Sequence, residues 1–316
     1  MVKRFSIINF KGGVGKTTLA FNVACKLSKT DGSRVLLCDV DHQSSLSIVC
    51  MRRRKWDEAV EQHKTINRVF THMTKSGQPM PGREIIHKPH PGLERLYPTL
   101  DIVPSELALD ETEIDLSGTT VGNAVESDWR RRTLICEWLE TNGIHRDYEY
   151  IIFDCPPATK IVTQNALAAS HGYLVPTIPD AVSVRGTPHL TNQMMSKIED
   201  QLRDYSGLLR TKGYKLVSTY VPTRAFIGIV ITRIQTSRGA SGWTNDATEN
   251  LAALRGQYPG NEIIEPLIKD GVGVSESLTR GFPVYHYPRE QNIGGQGFPR
   301  VFSEVTAEIK RRVDAI

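Results

Sequence analysis

The sequence is short of several features that define whole classes of protein. It has no run of about eighteen apolar residues, which excludes a transmembrane helix. Its five cysteines are odd in number and form no CxxC pair, so neither a disulfide framework nor a thiolate metal centre is indicated. Its first ten residues hold no stretch long enough for a signal peptide. With 39% hydrophobic residues and a formal net charge of +4, we expect a cytoplasmic globular protein whose charge alone does not indicate a nucleic-acid partner.

Short apolar stretches alternate with helical patterns along the chain. Strands are expected at residues 5–8, 35–38, 100–103, 151–153, 172–175, 226–232 and 263–264. Helices are expected around residues 19–27 and 130–139, from a cap at Thr187 with Pro188 in the first turn, and around 301–313. This alternation predicts a single α/β domain over residues 1–316, with a mostly parallel twisted sheet and helices on both faces. Residues 51–95 are interpreted as a surface elaboration with some helix.

The strongest chemical signal is a glycine-rich loop between the first strand and the first helix. Its glycines let backbone N–H groups curl around phosphate oxygens, and the following helix N-terminus favours the same anion. Lys16 is expected to reach the β- and γ-phosphates, and the Thr17 hydroxyl to bind Mg²⁺. Phe10 stands where the general P-loop pattern has glycine, so this loop is a variant. The proposed phosphate-binding residues are Lys11, Gly12, Gly13, Val14, Gly15, Lys16, Thr17 and Thr18.

Aspartates follow two of the expected strands. Asp39 and Asp41 come after residues 35–38, and Asp154 ends the strand at 151–153. Asp39 and Asp154 are expected to lie within reach of Mg²⁺, directly or through its water ligands. Phosphoryl transfer depends more on positioning and charge neutralisation than on covalent chemistry, so a few such groups suffice.

The variant loop, with Lys11 opening it, resembles the deviant Walker A box of the ParA/MinD family of ATPases. Asp41 lies in a segment that resembles the family's D-x-D-P-Q box, with His42 in place of the usual proline. Residues 151–157 resemble its Walker B segment, and residues 100–109, 175–180 and 274–284 resemble further family blocks. The resemblance spans nearly the whole chain, least at residues 51–95 and 233–262. It implies a P-loop fold that binds ATP and Mg²⁺.

The resemblance also implies roles for individual residues. Lys16 and Asp41 would be catalytic, with Asp41 orienting the attacking water. Lys11 would reach across an ATP-bound homodimer to the partner's phosphates. A weak ATPase activity would be stimulated by DNA and by a ParB-like centromere-binding protein. Basic residues of the C-terminal half would bind DNA without sequence preference, and the candidates are Arg233, Arg238, Lys269, Arg280 and Arg289.

The sequence therefore predicts a nucleoid-associated ATPase for plasmid or chromosome segregation. The P-loop begins at residue 11, so no N-terminal helix-turn-helix domain is expected. Three alternatives remain: a ParA-like ATPase that positions another cargo, an ATP-dependent synthetase or amidoligase, and a membrane-surface ATPase. No membrane partner is expected. The basic run at residues 52–55 is interpreted as a solvated surface.

Overall fold

One parallel sheet organises the molecule. The computed structural model describes residues 2–30, 32–235, 242–286 and 297–316. Within them lies a seven-stranded sheet with the order β3-β2-β4-β1-β5-β6-β7, in which every pairing is parallel. The strands are β1 Lys3–Ile7, β2 Val35–Asp39, β3 Leu100–Val103, β4 Tyr150–Asp154, β5 Gly172–Thr177, β6 Ala225–Ile231 and β7 Ile263–Ile264. The predicted fold class is confirmed, and each expected strand lies within about two residues of its observed bounds.

Helices join and cover the strands. In the described residues they are α1 Lys16–Thr30, α2 Ser45–Met51, α3 Arg53–Glu61, α4 Asn67–Thr74, α5 Pro91–Leu96, α6 Leu109–Gly118, α7 Ala124–Thr141, α8 Ile161–Ala168, α9 Ala181–Pro188, α10 Met195–Thr211, α11 Asn245–Gln257, α12 Val272–Thr279 and α13 Phe298–Asp314. A π-helix, His189–Met194, joins α9 to α10. None of these helices has the length and apolar character needed to cross a bilayer.

The sheet is buried on both faces, which explains why its strands are continuous apolar runs. In β2, Val35 and Leu37 pack in the core formed with α1 and α13. Leu36 and Cys38 point the other way, into the core formed with α4 and α7. Each fully buried aliphatic side chain of this kind stabilises the fold by about 1.5–3 kcal/mol. Alternate side chains of one strand therefore pack into two cores, one on each face of the sheet.

Residues 51–95 contribute to that core as well as to the surface. Ile66, Val69 and Phe70 are fully buried in the cluster that also contains residues of α7. Leu93 of α5 is buried on the opposite face of the sheet. The apolar side chains of this segment are thus integrated into the domain.

The predicted start of the long helix at Thr187 is wrong. Asp180 is the N-cap instead, since its side chain accepts a hydrogen bond from the Ser183 backbone N–H. Helical structure then continues through Pro188 into the π-helix. A proline ring removes one backbone donor and crowds the preceding turn, and the wider π turn is a local way to accommodate such a disturbance. Thr187 is buried rather than capping.

Candidate nucleotide site

The sheet brings the predicted residues together at the carboxyl ends of its central strands. Strand β1 lies between β4 and β5, and it leads directly into the glycine-rich loop and α1. The register places Asp39 beside Asp154, and Ile7 on the other side of Asp154. Ligands of open α/β sheets bind at this edge, outside the carboxyl ends of the strands.

The loop has the backbone conformation that phosphate binding requires. Gly13 and Gly15 adopt positive φ angles of 73° and 82°, which side-chain-bearing residues rarely tolerate. The Val14 carbonyl is turned into the protein, where it accepts a 2.7 Å hydrogen bond from the Thr232 hydroxyl. Thr232 follows the end of β6, two strands away from β1, and its hydroxyl holds the loop in place. This contact was not predicted, because 218 residues separate its partners.

Lys16 is buried beneath the loop, with 7% of its surface exposed. Its ammonium donates to the carbonyl oxygens of Asn9 (3.3 Å) and Lys11 (3.2 Å). Burial lowers the pKa of Lys16, whereas the carboxylates of Asp154 and Asp41 favour its charged form and oppose that shift. A cation enclosed in this way is placed to meet phosphate oxygens as they enter the loop.

Asp39 and Asp41 share one loop but differ in environment. Asp39 is fully buried and accepts hydrogen bonds from the backbone N–H and hydroxyl of Ser47 and from the backbone N–H of Asp41. Burial raises the pKa of Asp39 to about 7. The Asp41 side chain is 15% exposed, lines the cleft and accepts a hydrogen bond from the Gln43 N–H. Asp39 thus holds the loop, whereas Asp41 faces the space where a ligand would lie.

Asp154 has the features of a cation ligand. Its carboxylate is buried, and neither oxygen accepts a hydrogen bond of ordinary geometry from any described residue. Burial and the neighbouring Asp39 raise the pKa of Asp154 well above its usual range, while the Thr17 hydroxyl and Lys16 act in the opposite direction. A buried carboxylate without partners is unfavourable unless a positive charge or a donor reaches it. These residues therefore fit a bound Mg²⁺.

A cleft of about 970 Å³ opens beside the loop. The residues that line it include the P-loop glycines, Lys16, Thr17, Thr18 and Asp41, together with Thr232, Arg233 and Asp270. The Arg233 guanidinium donates to the Gly13 carbonyl at 2.9 Å and pairs with Asp270 at 3.1 Å. Arg233 is therefore attached to the nucleotide site as well as being a DNA-binding candidate. The sequence could have indicated this place, because Arg233 follows β6 and the carboxyl ends of parallel strands supply ligand contacts.

Lys11 lies at the rim of the cleft and is not among the described residues that line it. Its backbone N–H donates to Asn9 Oδ1 at 3.0 Å, and Asn9 Nδ2 donates to the Pro176 carbonyl at 2.7 Å. Its ammonium pairs with Asp180, at the start of α9. The side chains of Lys11 and Asp180 are 34% and 35% exposed, so both stay accessible to another molecule.

The remaining DNA-binding candidates lie in different places, and two of them are outside the described residues. Lys269 lines the cleft, with its ammonium 5.8 Å from the centre of the Phe298 ring. Arg280 is exposed at the end of α12. Arg238 and Arg289 lie outside the described residues.

The basic run at residues 52–55 divides into two environments. Arg52 adopts a positive φ of 67° and donates to the carbonyls of Thr279 and Arg280. The Lys55 ammonium likewise donates to the carbonyls of Lys88 and Pro89. Both side chains are half-buried and bound to carbonyls, so their interpretation as solvated residues is wrong. The side chains of Arg53 and Arg54 are 84% and 93% exposed, as predicted. A run of like charges did not reveal which member would turn toward α12.

The fold and the loop define a nucleoside-triphosphate hydrolase with a deviant P-loop. The chain belongs to the AAA domain family, whose model AAA_31 matches residues 2–205, and it is a P-loop ATPase of the ParA/MinD type. It is 26% identical over 307 residues to the chromosome partitioning protein ParA of Caulobacter vibrioides, covering 97% of this chain and 95% of that protein. It is 25% identical over 315 residues to the sporulation initiation inhibitor protein Soj of Bacillus subtilis, covering 97% and 99%. The predicted family is confirmed.

Solved structures show the same fold. Apo McdA of Cyanothece superimposes with a TM-score of 0.67 and 18% identity, covering 99% of this chain and 100% of that one. Cobyrinic acid a,c-diamide synthase of Mycobacterium smegmatis, with bound ADP and magnesium, gives a TM-score of 0.59 and 18% identity, covering 94% and 99%. At such identities the likeness shows the fold alone, so the choice between an ATPase that moves a cargo and a synthetase depends on the site.

Proposed function

We propose that this chain is a DNA-partition ATPase whose Mg-ATP-bound form is a face-to-face homodimer that binds DNA. The observation that carries the proposal is the place of Lys11. This lysine opens a complete phosphate loop, yet its ammonium lies at the exposed rim rather than in the cleft of its own subunit. A second subunit docked on that rim would receive the lysine against its own nucleotide. The similarity to ParA and Soj over 97% of the chain supports this choice.

Mg²⁺ would be held by Thr17 and Asp154, with Asp39 as the neighbouring negative charge. The described residues contain no group of three or more His, Cys, Asp or Glu side chains placed to hold a metal ion. A site with one or two carboxylates is compatible with Mg²⁺, because this ion is usually bound by one or two carboxylates together with substrate phosphates. When bound, the ion would neutralise phosphate charge as hydrolysis proceeds.

The chain's own residues would perform the remaining steps. Backbone N–H groups of residues 12–17 would bind the phosphates, and Lys16 would compensate their charge from below. Asp41, which lines the cleft, would orient the attacking water. The partner's Lys11 ammonium would stabilise charge on the γ-phosphate only in the dimer, which links hydrolysis to assembly. Stimulation by a ParB-like protein and by DNA would act on a slow intrinsic reaction.

DNA binding is expected to require ATP, to show little sequence preference and to weaken steeply with salt. Each phosphate contact releases counterions, so the logarithm of the affinity falls linearly with the logarithm of salt concentration. Gel shifts from about 50 to 200 mM salt, with ADP or a slowly hydrolysed ATP analogue, would measure this slope. Salt-independent, sequence-specific binding without nucleotide would contradict the proposal.

Arg280→Ala tests the exposed part of the proposed DNA surface. If each subunit of the dimer loses one phosphate contact, the slope should become shallower by about 1.8, twice the value of about 0.9 for one contact. Arg54→Ala is the matched control, because Arg54 is an exposed arginine on α3, outside the proposed surface. An equal change in both variants would indicate a general charge effect. A phosphorylated small-molecule product, with no DNA binding, would instead favour the synthetase.

A further inference from the structure

We infer that Asp180 is a positioning residue that holds Lys11 within its own subunit until a partner subunit takes the lysine. The inference rests on the proposed function, since it concerns when Lys11 becomes available to a second subunit. It assigns a role to a residue outside the phosphate loop, the water-orienting loop and the proposed Mg²⁺ ligands.

Three contacts at the opening of the P-loop lead to one part of the fold. The Lys11 ammonium pairs with Asp180, while the backbone of Lys11 is tied through Asn9 to Pro176 at the end of β5. The neighbouring Phe10 ring lies 6.0 Å from the His189 ring, centre to centre, at the start of the π-helix. The opening of the P-loop is therefore fastened to the segment that runs from β5 through α9.

The Asp180 carboxylate is oriented to bind a cation. One of its oxygens, Oδ1, accepts the Ser183 N–H at 2.9 Å as the N-cap of α9, and the other, Oδ2, faces Lys11. Although partial burial acts in the opposite direction, hydrogen bonds from Lys11 and Ser183 keep the pKa of Asp180 below its usual range. The carboxylate is thus fixed by the helix start and is charged at neutral pH.

The pair competes with dimerisation. An ammonium held by Asp180 is partly neutralised, so its transfer to a partner's phosphates requires the pair to break in each subunit. Exposed ion pairs of this kind are weak, each shifting an equilibrium by about threefold. Because a symmetric dimer breaks two of them, removal of the Asp180 charge should strengthen dimerisation by about tenfold.

The Asp180→Asn variant removes the negative charge of residue 180 but keeps its role as the N-cap of α9. Asparagine is as good an N-cap as aspartate, so the Ser183 contact and the start of α9 should persist while the attraction for Lys11 is lost. Asp200→Asn is the control for the loss of one carboxylate, because Asp200 forms an exposed pair with Arg203 on α10, away from the loop. Circular dichroism and thermal unfolding would establish that both variants fold.

Two measurements test the inference in the full-length chain. In nucleotide-free protein, acylation of Lys11 by an amine-reactive ester, followed by mass spectrometry, should be about threefold faster in Asp180→Asn than in wild type or Asp200→Asn. With a slowly hydrolysed ATP analogue, sedimentation velocity should show the tighter dimer in Asp180→Asn alone. In a Lys11→Ala background, Asp180→Asn should change nothing, because its effect passes through the lysine.

The outcomes distinguish this inference from the proposed function. Equal acylation of Lys11 in all three proteins would show that the pair does not hold the lysine, and an unchanged or weaker dimer in Asp180→Asn would show that Asp180 does not compete with the partner. Either result overturns the inference while leaving an ATP-dependent wild-type dimer intact. A wild type that never dimerises would instead remove the proposed function, and the acylation rates would still report on the pair.

Discussion

Lys16→Ala is expected to abolish measurable ATP binding, with a loss in affinity of at least about a hundredfold, or about 3 kcal/mol. Lys16 is the buried cation of the loop, and its ammonium also ties the carbonyls of Asn9 and Lys11 together. Alanine would leave the phosphate charge uncompensated in a desolvated site and would loosen the loop. Equilibrium titration with a fluorescent ATP analogue would measure the loss.

Lys197→Ala serves as the control for this variant. Lys197 is an exposed lysine on α10, so its removal changes the net charge equally without touching the cleft. Thermal unfolding would show whether Lys16→Ala remains folded. An affinity within about threefold of wild type would contradict the assignment of Lys16 to the phosphates.

Asp41→Ala is expected to slow hydrolysis by at least about a hundredfold while ATP affinity stays within about threefold of wild type. Asp41 lines the cleft, whereas the loop backbone and Lys16 form the phosphate cradle. The cradle is therefore left intact when the water-orienting carboxylate is lost, and an ATP-bound dimer should accumulate. Phosphate release and nucleotide binding, measured on the same protein, separate the two effects.

Asp41→Asn refines that experiment. Asparagine can still accept the hydrogen bond that Asp41 receives from the Gln43 N–H, so the loop should keep its shape while the charge is lost. If both variants lose hydrolysis equally, the charge itself matters. If Asp41→Asn retains full activity, the residue only shapes the loop. An equal loss of ATP affinity in Lys16→Ala and Asp41→Ala would contradict the division of roles between them.

The sequence was sufficient to predict the parts of the site that follow from local pattern. Continuous apolar runs indicate buried parallel strands, and the carboxyl ends of such strands share one edge. Asp39 and Asp154 could therefore be expected near the loop without knowledge of the strand order. The observed register, which sets these two carboxylates side by side, is a finding of the structure.

The contacts that tether the loop could not be predicted. Thr232 reaches Val14, and Asp180 reaches Lys11, only because β5 lies beside β1 in the sheet and β6 lies beside β5. Strand order is not encoded in local periodicity, so nothing near Val14 or Lys11 indicates either partner. Thr187 shows the converse limit. Its local cap-and-proline signal favours a helix start there, yet Thr187 lies inside a helix that begins at Ala181 with Asp180 as its N-cap.

Sedimentation velocity of Lys11→Ala beside wild type, with Mg²⁺ and a slowly hydrolysed ATP analogue, tests the central claim most directly. Wild type should form dimers with the analogue and remain monomeric with ADP. Lys11→Ala should bind the analogue with a modest loss, since Lys16, Thr17 and the backbone N–H groups remain, yet stay monomeric because the partner's γ-phosphate charge is uncompensated. Wild-type-like dimers of Lys11→Ala would contradict the account and reduce Lys11 to a loop residue.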